Sequence, residues 1–199
     1  MLAWIFWHSR SSATPEAEYR TRLLEFHELL YGGEIDGFLG SRICRYPAVP
    51  WLPSPTEVYE DWYFLRDSAA LDRLDEAALD LHRQARHDAV ARLASVAAAG
   101  LYRLRAGSDP ATIARCYWMS KPLGETYDRF FARYRDRDPQ SFGLWGRQMV
   151  LGPTPEFVLT TAEVPDSKPE NAIELVPEIV APKRPVSLRP QAHGPDAAR

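Results

Sequence analysis

The residues of this chain that could do acid–base chemistry are two histidines and an aspartate, with two arginines that could hold an anion. We interpret His8 and His87 as candidate catalytic acids or bases, because histidine titrates near neutral pH. Asp61 could orient His8, or it could form a structural ion pair with Arg42. Arg42 and Arg147 could hold the negative charge of a bound carboxylate, enolate or phenolate. Each of these side chains has a structural or surface role as its alternative.

Aromatic side chains accompany these groups and predict a pocket. Side chains of a strand alternate between its two faces, so the first and third predicted strands each place aromatic and polar residues on one face. The aromatic residues that we predict to bind substrate there are Trp4, Phe6, Tyr59 and Tyr63. Leaving such side chains in water would forfeit about 1.5–3 kcal/mol for each one. A covered ligand pocket is therefore favoured over a solvated face or a plain core.

The same alternation predicts which way each face of the sheet points. The face expected to cover the helices carries Ile5, Trp7, Trp62 and Phe64. The face expected to line the cavity continues on the second strand through Phe38, Arg42, Cys44 and Tyr46. The pocket is thus predicted on the face turned away from the helices.

Several classes of enzyme lack support in the sequence. No HExxH, HxxxH, GxSxG, P-loop or GxGxxG motif occurs, so neither a metal hydrolase, a serine hydrolase nor a nucleotide-binding protein is indicated. His82 and His87 would lie about 140° apart around a helix, which is poor geometry for chelating one metal ion. We therefore predict neither a metal nor a nucleotide cofactor. Haem is a lesser option, with His8, His87 or Cys44 as its axial ligand.

Composition and charge are those of a soluble globular protein. The net charge is −3 and the isoelectric point is near 6.0, so no basic field indicates nucleic acid or an acidic membrane as a partner. No apolar run approaches the roughly 20 residues that span a bilayer, and the N-terminus lacks the basic leader of a signal peptide. Cys44 and Cys116 are isolated thiols, which favours a cytoplasmic location.

The first part of the chain is predicted to form strands and helices in the order β-α-β-β-α-β, which is typical of the ferredoxin-like arrangement. Strands are predicted over residues 2–10, 37–46, 57–66 and 101–105. The first helix is predicted to start at Thr14-Pro15-Glu16 and to stop at Gly32-Gly33. Residues 68–99 are predicted to be helical, in two segments joined near Leu81 and His82.

A second, shorter set of elements repeats this order. Its strands are predicted over residues 114–121, 142–151 and 156–161, with a helix over 124–135. The segment CYWMSK at 116–121 resembles IFWHSR at 5–10, which aligns Trp118 with Trp7. The following strands then align Arg147 with Arg42. We interpret the match as a duplication, with chance similarity of two strand–helix–strand units as the alternative.

These elements divide the chain into three parts. Residues 1–108 are predicted to form one ferredoxin-like unit and residues 109–162 a second, shorter one. Residues 163–199 form a proline-rich C-terminal extension. Within it, residues 172–180 could add an edge strand, since Pro177 bars a central position. Beyond Pro182 we expect a disordered tail.

Two ferredoxin-like units with open sheet faces resemble the dimeric α+β barrel superfamily in a tandem, single-chain form. The segment LHRQARHDA at 81–89 is also similar to a histidine-bearing stretch that several of those families carry before the fourth strand. The resemblance implies an α+β fold whose two antiparallel sheets pack face to face as a pseudo-symmetric barrel around a ligand cavity. It implies a functional range of cofactor-independent monooxygenases, isomerases, dehydratases, haem-degrading enzymes and stress-responsive proteins.

Two classes of function stay open. The first is a small-molecule enzyme, an oxygenase, isomerase or lyase that acts on an aromatic or polyketide-like compound. The second is a non-catalytic binding protein, or an oligomeric stress or regulatory protein. The loop that holds Trp51 among four prolines bears on the choice, because a stiff loop could present Trp51 to a homo-oligomer interface. Trp51 could equally fold back as a lid that contacts the substrate.

Overall fold

The computed structural model describes residues 1–32, 34–149 and 152–183. Its strands are β1 (Leu2–Arg10), β2 (Phe38–Tyr46), β3 (Val58–Leu65), β4 (Ala94–Gly107), β5 (Arg115–Met119), β6 (Phe142–Arg147), β7 (Phe157–Thr161), β8 (Ile173–Leu175) and β9 (Glu178–Ala181). Its helices are α1 (Glu16–Gly32), α2 (Ala69–Ala78), α3 (Gln84–Ala91) and α4 (Tyr127–Ala132). None of the helices described is long and apolar enough to cross a membrane. The tail predicted to be disordered lies, from residue 184 onward, outside the described residues.

The strands form one antiparallel sheet in the order β8-β5-β7-β6-β4-β1-β3-β2-β9. The group β4-β1-β3-β2 follows the ferredoxin-like order of fourth, first, third and second strand, and β8-β5-β7-β6 follows the same order. Strand β4 joins the two groups, because it pairs with β1 near Gly100 and with β6 near Tyr102. The predicted fold class is confirmed: the chain is an α+β barrel of two ferredoxin-like strand groups. Their origin by duplication stays a prediction.

The last two strands bring the ends of the sheet together. Strands β8 and β9 stand at opposite ends of the strand order, yet only Val176 and Pro177 separate them in the chain. The three residue steps from Leu175 to Glu178 span at most about 11 Å, so the sheet must curl until its edges nearly meet. The single edge strand predicted over 172–180 is thus two short strands on opposite edges. Pro177 falls between them, where no ladder hydrogen bond is needed.

Helices α2 and α3 confirm the two predicted segments joined near Leu81 and His82, but the prediction of helix up to residue 99 is wrong. Strand β4 starts at Ala94, and its alanine-rich first half pairs with β1, with Ala97 opposite His8. Alanine favours helix by only a few tenths of a kcal/mol per residue. Continuous pairing with the central strand β1 outweighs that preference.

The barrel interior is packed with indole rings around one buried carboxyl group. The completely buried tryptophans are Trp7, Trp62, Trp118 and Trp145. The ring centroids of Trp7 and Trp118 are 5.6 Å apart in an edge-to-face contact, an arrangement that aromatic pairs favour. Glu60 lies among them and accepts hydrogen bonds from Trp7 Nε1 at 2.7 Å, Trp62 Nε1 at 2.7 Å and Tyr46 Oη at 3.1 Å.

The predicted orientation of the two sheet faces is wrong for β1 and β3. Ile5, Trp7 and Trp62, expected to cover the helices, belong to the barrel core instead. The other face packs under α1, α2 and α3. Alternation along a strand shows which residues share a face, but it does not show which face the helices cover. Strand β3 is buried along its whole length, because both of its faces are covered.

Candidate functional site

A pocket of about 620 Å³ lies between the outer face of the first strand group and helices α1, α2 and α3. Six of the predicted site residues line it, namely Trp4, Phe6, His8, Asp61, Tyr63 and His87. A seventh, Tyr59, stacks on the His8 ring with centroids 5.8 Å apart. This pocket lies on the helix-covered face, whereas the cavity was predicted inside the barrel, which is packed with aromatic side chains instead.

The register of β1 and β3 sets the sheet wall of this pocket. Phe6 pairs with Asp61 and His8 pairs with Tyr59, and residues paired across two strands share a face. The Phe6 and His8 rings are stacked at 5.1 Å. His8 is thus held between two rings, with its plane fixed by packing.

The small side chains of β4 leave the room that the pocket occupies. Ala94 and Ala97 line it, and Ala97 stands opposite His8 in the ladder. A larger side chain at either position would fill space beside the histidine. The alanine run that resembled a helix in the sequence therefore forms part of the pocket wall.

Helix α1 supplies the opposite wall. Its first turn contains Glu16 and Glu18, whose negative charge favours a helix N-terminus. Tyr19 and His27 both lie on the buried face of the helix, because eight residues are close to two turns and so return to the same side. Packing of this face against the sheet brings Tyr19 to His8 and His27 to Asp61.

A hydrogen-bonded series runs from Tyr19 through His8 to Asp61. Tyr19 Oη lies 2.6 Å from His8 Nδ1, and His8 Nε2 lies 2.9 Å from Asp61 Oδ2. Burial opposes ionisation of Asp61, but the adjacent His8 and His27 rings outweigh it and hold the pKa of Asp61 below its usual range. An ionised Asp61 can only accept, so His8 Nε2 donates to it. In the neutral form of the ring, His8 Nδ1 is then the acceptor of the Tyr19 phenol proton.

Asp61 also has partners on its other side. His27 Nε2 lies 3.2 Å from Asp61 Oδ2, and Tyr63 Oη donates to the same oxygen at 3.3 Å. The far nitrogen of His27, Nδ1, is 2.8 Å from Ser41 Oγ. Asp61 Oδ1 is buried without a hydrogen-bond partner in the described part of the chain. One carboxylate thus orients two imidazoles and keeps one acceptor atom unused.

The Tyr19 phenol is held in its protonated form at rest. Burial raises the pKa of Tyr19, and the negative charge of Asp61 raises it further. The hydrogen-bonded series can carry a proton from the phenol to the imidazole, because Asp61 balances the charge of an imidazolium.

The two predicted anion-binding arginines lie elsewhere. Arg42 is buried inside the barrel, where its Nη2 lies 2.8 Å from Asp109 Oδ1. Lys183 Nζ lies 3.0 Å from Asp109 Oδ2. Arg147 donates to the backbone carbonyls of Gly152 and Thr154. These contacts tie both arginines to partners away from the pocket of His8, and neither lines that pocket.

Arg147 lines a smaller cavity of about 290 Å³ under α4, together with Arg105, Tyr127 and Glu156. The Tyr127 hydroxyl donates to Glu156 at 2.5 Å. Arg147 pairs with Tyr102 and lies two residues after Trp145, so it stands on the barrel side at the end of β6.

Haem does not fit the pocket well. Of its predicted ligands, Cys44 lies in the barrel core, and both nitrogens of His8 are hydrogen-bonded. His87 lines the pocket edge-on to Phe26, with ring centroids 5.6 Å apart. The two haem propionates would nevertheless need cations, and the lining contributed by the described residues contains no lysine or arginine. No cluster of three or more His, Cys, Asp or Glu within the described ranges could hold a metal ion either.

Trp51 folds back onto the barrel. Its ring lies 4.8 Å from that of Trp118 and 5.9 Å from that of Trp7, measured between centroids. It is half-buried by these contacts. The structure thus places Trp51 over the barrel core, away from the pocket of His8.

Replacing Trp51 with alanine is expected to leave the molecular mass unchanged and to lower the free energy of unfolding by about 1–2 kcal/mol, because a half-buried ring is removed. Light scattering gives the mass, and chemical denaturation gives the stability. Leu123→Ala, at a fully exposed position, is the control and should change neither. A fall in mass for Trp51→Ala would instead show that Trp51 anchors an interface.

Sequence reasoning missed Tyr19 and His27 as site residues. Both lie on the buried face of α1, and their polar groups could only be interpreted once a partner was known. The sequence did contain a signal for them. A tyrosine and a histidine two turns apart on a buried helix face both need hydrogen-bond partners. The strand facing that helix offers Asp61.

Comparisons with known proteins bear on the fold alone. No family model and no curated protein matches the chain. Among solved structures, a "putative monooxygenase" from Lactobacillus acidophilus NCFM has a TM-score of 0.59 at 9% identity, over 91% of this chain and 95% of that one. A "putative monooxygenase" from Fusobacterium nucleatum gives 0.57 at 9% identity, over 92% and 94%. An anthrone oxidase-like protein gives 0.52 at 10% identity, over 94% of each chain.

Proposed function

We propose that this protein is a small-molecule enzyme that takes a flat aromatic compound into the pocket beneath α1, α2 and α3 and removes a proton from it for oxidation by molecular oxygen. The observation that carries the proposal is the series Tyr19–His8–Asp61 in the wall of an aromatic pocket. Rings on both walls would stack on the substrate, and the few polar groups would orient it.

The proton transfer is a relay that proceeds through two hydrogen bonds, from the substrate to Tyr19 and from Tyr19 to His8. An acidic C–H or O–H group of the substrate gives its proton to Tyr19 Oη, while the proton of Tyr19 passes to His8 Nδ1. Asp61 stabilises the resulting imidazolium. The electron pair of the broken bond stays on the substrate, where the aromatic system delocalises it.

The oxidant is molecular oxygen, which accepts the electrons of the substrate anion. At an activated methylene group, the carbon exchanges its two hydrogens for one oxygen atom and becomes a carbonyl carbon. The second oxygen atom leaves as water together with those two hydrogens, so that two C–H bonds are replaced by one C=O bond. His8 returns its proton through Tyr19 to the departing oxygen, which restores the resting state.

The fold likeness supports an oxygenase over the other reactions of the barrel superfamily. Two of the similar structures carry the name "putative monooxygenase" and the third is an anthrone oxidase-like protein. Anthrone is a flat three-ring compound with an activated methylene group, which is the chemistry that the relay suits. A non-catalytic binding protein is the second candidate, because the pocket would also hold such a compound without converting it.

Oxygen uptake with anthrone as the probe tests the proposal. We expect uptake above the protein-free rate, with one molecule of oxygen consumed for each anthraquinone formed. Ala97→Trp should reduce the rate by at least about tenfold, since it fills the space beside His8 and even small steric changes are worth factors of this size. Ala132→Trp, at an exposed position of α4, is the matched control. Binding without uptake would favour the second candidate, and neither binding nor uptake would contradict both.

A further inference from the structure

Apart from its histidines, the pocket is lined by ionisable side chains of one sign. The acidic residues that line it are Asp61, Asp72 and Asp75, and no lysine or arginine of the described residues is part of the lining. Most of the remaining lining is apolar or aromatic. An anionic ligand would therefore meet carboxylates with no lysine or arginine of the described residues to compensate them.

The two carboxylates of α2 stand together at the exposed side of the pocket. Asp72 and Asp75 are three residues apart on one helix, so they are neighbours on the same face. Both are exposed as well as pocket-lining, which puts them at the mouth. Within the described residues neither forms a salt bridge, because the nearby Arg73 pairs with Asp36 and Asp67.

At the inner end of the pocket, one buried acceptor atom lacks a hydrogen-bond donor within the described residues. Asp61 is 1% exposed and lines the pocket, and its Oδ1 has no partner in the described part of the chain. Buried acceptors are nearly always satisfied, so this atom calls for a donor that a ligand could bring. The observation is independent of the two carboxylates at the mouth.

We infer that the pocket selects aromatic compounds that carry a protonated amine, with the ammonium group at Asp72 and Asp75 and a hydrogen-bond donor near Asp61. This inference rests on the proposed function, since it names the substrate class for the same pocket. It replaces the anionic ligand expected from Arg42 and Arg147. The rings of the pocket hold the aromatic part, and the charge at the mouth decides between compounds of equal shape.

Three naphthalene compounds of similar size test the inference by isothermal titration calorimetry: 2-(1-naphthyl)ethylamine, 2-(1-naphthyl)ethanol and 1-naphthylacetic acid. We expect the amine to bind tightest, about tenfold tighter than the acid, because two carboxylates attract one ligand and repel the other. Raising the ionic strength by about an order of magnitude, from about 0.05 M to about 0.5 M, should weaken the binding of the amine but not that of the alcohol.

The double variant Asp72→Asn/Asp75→Asn should remove most of the preference for the amine and leave the affinity for the alcohol unchanged. The matched control is Asp136→Asn/Asp166→Asn, which makes the same change of net charge at exposed positions that do not line the pocket. The control should keep the preference.

Three results overturn the inference. Equal binding of all three compounds, or tighter binding of the acid, would contradict the proposed selection for aromatic amines. It would leave the pocket and the proposed function unaffected. An amine preference that survives in Asp72→Asn/Asp75→Asn would show that the selection does not come from the mouth. Failure of every compound to bind, together with no oxygen uptake on anthrone, would remove the proposed function itself.

Discussion

Replacing Glu60 with alanine is expected to lower the free energy of unfolding by about 3–5 kcal/mol, since three buried donors lose their acceptor at once. Glu60 is completely buried and accepts hydrogen bonds from Trp7, Trp62 and Tyr46. Alanine would leave two indole N–H groups and a hydroxyl unpaired, beside a cavity in the barrel core. Denaturation followed by tryptophan fluorescence measures the loss.

Two further variants separate this role from a general effect of removing a carboxylate. Glu60→Gln keeps an acceptor oxygen in place and should cost clearly less than Glu60→Ala. Glu34→Ala, at an exposed position, should shift stability by no more than about 0.5 kcal/mol. A Glu60→Ala protein as stable as the wild type would mean that the interior rearranges or admits water to satisfy the three donors.

The stability provided by Glu60 also depends on pH in a defined direction. Burial raises the pKa of Glu60, and the hydrogen bonds from Trp62, Trp7 and Tyr46 only partly oppose that rise. The folded protein therefore holds this proton more tightly than the unfolded chain does. Its contribution is complete below the ordinary carboxyl value of 4.5 and declines as the pH rises above it. The stability of the wild type relative to Glu60→Gln should accordingly fall between pH 4.5 and neutrality.

The second large effect is expected at His8. Replacing it with glutamine should reduce kcat for the oxidation of the aromatic probe by about 10²–10⁴-fold, because a positioned proton acceptor is removed. KM should change little, since glutamine retains much of the packing between Phe6 and Tyr59. Oxygen uptake gives the rate, and calorimetry with the alcohol ligand reports whether the pocket is intact.

Tyr19→Phe and His82→Gln complete this test. Phenylalanine keeps the ring of Tyr19 but cannot pass a proton to His8 Nδ1, so kcat should fall with ligand binding preserved. His82 is exposed and does not line the pocket, so His82→Gln should behave like the wild type. Full activity of His8→Gln with a bound ligand would show that the proton leaves the substrate by another route.

The sequence predicted most elements because the signals for them are local. Strand β1 matches its predicted bounds of Leu2 to Arg10, and the break between α2 and α3 falls near Leu81 as expected. One exception is residues 94–99, where alanine favoured helix and pairing with β1 decided for strand. Local preference is weak there compared with a ladder of hydrogen bonds to a strand distant in sequence.

The candidate site was predictable in part. Alternation alone grouped His8 with Asp61 on one face, and the register of β1 and β3 bears out that grouping. It could not show that α1 covers this face, and so Tyr19 and His27 were missed. Arg42 is the opposite case, a predicted site residue that the structure places elsewhere. Its charge suggested that it binds a ligand, but it pairs with Asp109, which lies 67 residues away in the chain.

The sequence by itself determined the α+β class, the two ferredoxin-like strand groups and the sharing of one face by His8, Asp61 and their aromatic neighbours. All three follow from periodicity and turn residues, which act over a few residues. Only the tertiary structure decided which face the helices cover, where the pocket lies and which charges line it. Those outcomes depend on contacts between distant segments, such as Tyr19 with His8 and Arg42 with Asp109. Whether a polar side chain is buried with a partner or faces a cavity is settled when the sheet curls and the helices pack.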